Sequence, residues 1–146
     1  MKNQKFSRIL RGLALLGGLI GPSLAQCGQV VVVSAKSSVG AMSKDQIAQM
    51  FLGKTTTFPD GSAVLLFDQA DGSAARDEFY SKVAGKNAAQ VKAVWARLVF
   101  SGTARPPAAV TGDVAVKQMV AERPGSIGYI ASTAVDSSVR VVLEVN

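Results

Sequence analysis

In the run Gln29-Val30-Val31-Val32-Val33 every residue after the first is apolar and β-branched, the pattern of a strand buried on both faces rather than one alternating between core and solvent. Ser43-Lys44-Asp45-Gln46 has the S-x-x-Q form of a capping box, and Ile47, Met50 and Phe51 follow at helical spacing before Gly53, predicting a short amphipathic helix. Pro59-Asp60-Gly61 is a turn signal that delivers the chain to a strand over Ala63 to Phe67. A helix from Ser73 to Ala84 buries Phe79, Tyr80 and Val83 and stops at Gly85. Asn87-Ala88-Ala89-Gln90 then opens another, in which Val91, Val94, Trp95, Leu98 and Val99 form the most regular helical stripe of the chain, ending at Ser101-Gly102.

Arg105-Pro106-Pro107 marks a loop, and Asp113 is placed to cap a helix burying Val116, Met119 and Val120 before Pro124-Gly125. Strands are expected at Ile127 to Ile130 and Val139 to Leu143. Nearly continuous apolar strands separated by helices predict an α/β fold: a three-layer α/β/α single lobe with a mixed, mainly parallel sheet. No internal repeat or interdomain linker interrupts it.

The first 25 residues change the picture of the remainder. Lys2, Lys5, Arg8 and Arg11 precede the apolar stretch Leu13 to Ile20, and Ser23-Leu24-Ala25 supplies a small-residue cleavage site, so residues 1–25 read as an export signal and residues 26–146 as one domain, periplasmic or secreted. The stretch is short of the ~20 residues of a spanning helix. Without those four cations, 12 of the 16 Lys and Arg remain against 10 acidic residues, and a net charge of +2 gives no reason to expect nucleic acid as a partner. The lone Cys27 precludes an internal disulfide. Leu24-Ala25-Gln26-Cys27 looks like a lipoprotein box, except that Gln26 stands where that pattern has a small residue; ordinary cleavage after Ala25 is favoured, with lipidation of Cys27 as the alternative.

The candidate chemistry lies where the Ala63 to Phe67 strand runs through Asp68-Gln69-Ala70-Asp71-Gly72-Ser73-Ala74-Ala75-Arg76 into a helix. The first amides of a helix have no internal acceptor and carry the positive end of its dipole, so a small-residue turn there suits an anion. The same letters also make a plain turn and cap. Asp77 and Glu78 read as charges favourably placed near a helix start, and Trp95 and Tyr129 as core aromatics rather than ligand stackers. With no histidine in the chain, Ser-His, Cys-His and His-metal chemistries are excluded. No metal or other cofactor is expected, nor is an enzyme.

Three segments together resemble the phosphate-binding proteins of bacterial ABC transporters and their type 2 periplasmic-binding superfamily. Ser43 to Lys54 is similar to the family's helix ending in F-x-G-K, Asp71-Gly72-Ser73 with Phe79 to its R-x-D-G-S-G-T ligand loop, and Arg123 to Tyr129 to its P-G-a-I-G-Y strand. The resemblance implies that Gln69, Asp71, Gly72, Ser73, Ala74, Ala75 and Arg76 surround a phosphate-like oxyanion. It also implies a departure: Gln69, Ala74 and Ala75 stand for the family's arginine, glycine and threonine, removing one cation and one hydroxyl. Arg76 either replaces that charge or points into solvent. Family members close two lobes on the ligand, so a second lobe from a homodimer or a partner protein is implied, and loss of ligand binding in favour of an envelope interaction role is the alternative.

Overall fold

The computed structural model describes residues 28–146; the expected export signal, its expected cleavage site and Cys27 lie outside them. Five strands form one sheet in the order β3-β2-β4-β1-β5, where β1 is Gln29–Ser34, β2 Leu65–Gln69, β3 Ala108–Val110, β4 Ser126–Ala131 and β5 Val139–Val145. β2 pairs in parallel with both β3 and β4, while β1 runs antiparallel to β4 and β5. Four strands thus share one direction, and β1 alone is reversed. The helices α1 (Lys44–Phe51), α2 (Ala74–Ala84) and α3 (Ala88–Phe100) belong to one face, and α4 (Asp113–Glu122) to the other.

The valine run explains why the sheet is covered on both sides. Val31 and Val33 pack with Phe51, Phe79 and Tyr80 under α1 and α2, whereas Val30 and Val32 pack with Val116 and Val120 of α4. Each fully buried valine contributes on the order of 1.5–3 kcal/mol, so β1 can sit only between two layers. At the other end of the ladder the pairing passes from Val31↔Leu143 to Val32↔Val141, leaving Val142 as an extra residue and bending the edge strand.

Local capping is as the sequence predicts. Ser43 and Gln46, and likewise Asn87 and Gln90, exchange both hydrogen bonds of a capping box, and Gly85 closes α2 in the left-handed conformation. Three details differ. The second strand begins two residues later than its apolar run and continues through Asp68 and Gln69, because hydrogen bonds let both polar side chains be buried. The short strand β3 follows Pro107 without an apolar pattern of its own, held by parallel pairing to Phe67–Gln69. Asp113 is the first residue of α4 rather than its cap, with Gly112 at the cap position.

α4 lies close enough to β4 that Gly128 has no room for a side chain: a Cβ there would stand 2.7 Å from Val116 Cγ1 and 3.1 Å from Val120 Cγ2. Valine in a helix has essentially one rotamer and cannot swing aside. Gly128→Ala is therefore expected to lose about 1–3 kcal/mol by overpacking, measured as a lower urea midpoint; unchanged stability would mean α4 is not seated as described.

Candidate functional site

The loop after β2 is a tight turn, closed by Ser73 N–H donating to Ala70 O at 3.1 Å, with Gly72 at φ 78°. That left-handed position is costly for a residue with a Cβ. Ser73 caps α2, its Oγ accepting from Arg76 N–H at 3.2 Å, and Asp77 N–H donates to Ser73 O at 3.1 Å. The amides of Ala74 and Ala75 have no acceptor among the described residues. Ser73 thus acts as the cap, while its hydroxyl proton and two helix-start amides remain available as donors.

Beneath the turn lies a carboxylate the sequence reading did not single out. Asp68 is 3% exposed and receives Tyr80 Oη–H at 2.7 Å, Tyr129 Oη–H and Arg76 Nε–H at 3.2 Å. Arg76 reaches back further, donating Nη1–H to Asp71 at 3.1 Å, and lies over the Tyr80 ring at 5.1 Å. Its side chain is only 13% exposed, so it does not point freely into solvent. Burial is the largest single influence and works against the guanidinium's charge, yet Asp68, Tyr80 and Asp71 together outweigh it and Arg76 titrates above its ordinary value. Held by two carboxylates and an aromatic face, Arg76 is fixed in place with its Nη2 unpartnered among the described residues.

Gln69, expected beside the anion, serves another element. Its Nε2 donates to Asp113 Oδ1 at 2.9 Å and to Tyr129 O at 3.3 Å, and its Oε1 accepts from Gly112 N–H at 3.3 Å. Successive strand residues face opposite sides of a sheet, so Gln69 faces α4 while Asp68 faces α2. The amide therefore ties the start of α4 to β2, while the residue also borders the cleft described next.

Asp68, Asp71 and Arg76 form one wall of a cleft of about 350 Å³ whose other wall is α3 and the loop before β3, with Lys92, Trp95, Val99, Pro106 and Pro107. Among the expected site residues, Gln69, Asp71 and Arg76 border this cleft, whereas Gly72, Ser73, Ala74 and Ala75 form the adjoining turn. Two residues were missed. Asp68 was legible as a carboxylate at the end of an apolar strand; Lys92 left no signal beyond being one of two cations on its helix.

Neither a protein-family model nor a curated protein matches the sequence. Solved structures do. A candidate phosphate ABC transporter substrate-binding protein from Clostridium perfringens, solved with bound phosphate, superposes with a TM-score of 0.64 at 24% identity, over 79% of this chain and 44% of that one. An ABC-type phosphate transport receptor from Vibrio cholerae gives 0.62 at 17% identity, over 79% and 45%, and PstS from Borrelia burgdorferi 0.58 at 9% identity, over 79% and 46%. The fold is theirs. This chain spans less than half the length of each.

Tyr80 and Tyr129 are the two tyrosines of the chain, and burial first, then the Asp68 charge, push both phenols well above their ordinary value of 10. The folded state keeps both protons where the unfolded chain releases them, so this stabilisation is full below pH 10 and declines as pH rises above it. In an alkaline titration, phenolate absorbance is expected to stay flat near pH 10 and to rise only together with loss of the circular-dichroism signal. Phenolate formation in a chain that remains folded would contradict the network.

Proposed function

We propose that this chain is a non-catalytic, exported solute-binding lobe that holds a phosphate-like oxyanion at the turn 71–76, in the periplasm or outside the cell, with links to phosphate transport. The reading is carried by Arg76. A guanidinium fixed beside a helix start, with a donor edge free at a cleft, is suited to an oxyanion and loses little conformational freedom on binding. Ser73 Oγ and the amides of Ala74 and Ala75 add donors that point charge of the right sign toward the same turn. The resemblance of sequence motifs and the phosphate-linked names of the structural neighbours support the same ligand class.

Affinity at this half-site is bounded by two effects. Asp68 and Asp71 already share the charge of Arg76, and an open cleft keeps the ligand in high dielectric, where each contact is worth several-fold less than in a dry one. A covering lobe, from a second copy or a partner protein, would raise both the field and the affinity.

One observation favours a second reading, an envelope interaction module with ligand binding lost. Phe100 is 96% exposed, with Val99 at 52% and Leu65 at 47%; Leu65 and Val99 line a groove of about 820 Å³ together with Met50, Trp95 and Pro106, an apolar surface of the kind that marks protein contacts.

Calorimetry with phosphate, sulfate and acetate separates the two. Under the binding reading phosphate gives heat and raises the thermal midpoint, and Arg76→Gln weakens it by about tenfold or more, the loss expected of a charged hydrogen bond. A monomer whose midpoint ignores every anion refutes that reading in favour of the second.

A further inference from the structure

The shape of the cleft says more than its charge. An oxyanion held by Arg76 and the turn 71–76 would occupy one corner of about 350 Å³, a volume in the range of sites for small organic ligands. Across from Arg76 the wall is apolar: Trp95, Val99, Pro106 and Pro107. With a bare inorganic ion bound, that wall would stay wet. The same wall brings a second cation, since Lys92 borders the cleft and takes no carboxylate partner among the described residues. Nothing on its own segment can neutralise it: between Glu78 and Asp113 the chain has Lys82, Lys86, Lys92, Arg97 and Arg105 and no acidic residue.

Resting on the oxyanion reading above, we infer that the ligand is an organic monophosphate, its phosphoryl group between Arg76 and Lys92 and a compact apolar body against Val99 and the two prolines, beside the edge of the largely buried Trp95. Asp68 and Asp71 already share the charge of Arg76, so Lys92 is the cation of the cleft whose charge is left for the headgroup. The pyrrolidine rings are rigid and lose little entropy when a flat apolar group covers them. Inorganic phosphate uses the first half of this site and leaves the second unfilled.

Trp95 is the only tryptophan, so its emission reports occupancy of the apolar half directly. Phenyl phosphate, inorganic phosphate and phenol are titrated into the purified chain at constant ionic strength, following both Trp95 fluorescence and heat. The expected result is that phenyl phosphate shifts the emission and binds at least about tenfold tighter than phosphate, equivalent to about 1.4 kcal/mol, with phenol weaker than either. Ala96 lines the cleft from an exposed helical position, and Ala96→Phe is expected to fill the apolar half, bringing phenyl phosphate down to the affinity of phosphate while leaving phosphate unaffected. Lys92→Ala is expected to weaken phenyl phosphate several-fold. Equal affinity of phenyl phosphate and phosphate overturns this inference and leaves the oxyanion reading standing. Phenol binding as tightly as phenyl phosphate overturns it as well, and binding of none of the three removes the oxyanion reading along with it.

Discussion

A single buried carboxylate organises this domain. Asp68 at the end of β2 gathers a phenol from α2, a phenol from β4 and the guanidinium of Arg76. An ionised carboxylate sealed from water without partners would cost several kcal/mol, so each donor is obligatory once Asp68 is inside. The geometry of the turn after β2 follows from this. Arg76 cannot leave Asp68 without abandoning a buried charge, and while it stays, α2 must begin close to Ser73 and the turn 70–73 must be tight.

The aromatic layer beneath carries the same constraint into the core. Phe79 stacks on Tyr129 with ring centroids 3.7 Å apart, and Phe51 meets both edge-on. The carbonyl of Phe51 accepts from Trp95 Nε1 at 3.1 Å, so the indole bordering the cleft is locked by a hydrogen bond as well as by packing. Arg76 on one wall and Trp95 on the other are therefore both anchored to one cluster. The spacing of these two side chains is set by the core rather than by the loops.

The fold was largely legible because its signals are local or strongly periodic. Capping boxes at Ser43 and Asn87 and the β-branched run of β1 declare their elements within a few residues. What escaped depended on partners distant in sequence. β3 has no pattern of its own and exists by pairing with β2. Gln69 was aligned with a ligand-binding arginine, yet the side of the sheet it faces, and so its role at α4, is fixed only by register. Val99 completes a helical stripe in sequence but is 52% exposed, outside the core.

The reversed direction of β1 has a bearing on how the domain is presented. Gln29 pairs with Ala131 at the carboxyl end of β4, and its Nε2 donates to Ala75 O in the first turn of α2 at 2.7 Å. Polypeptide arriving at Gly28 thus meets the domain at the rim from which a solute would enter. A tether attached there would hold the mouth of the cleft toward whatever surface anchored it, whereas without one that mouth would face the open medium.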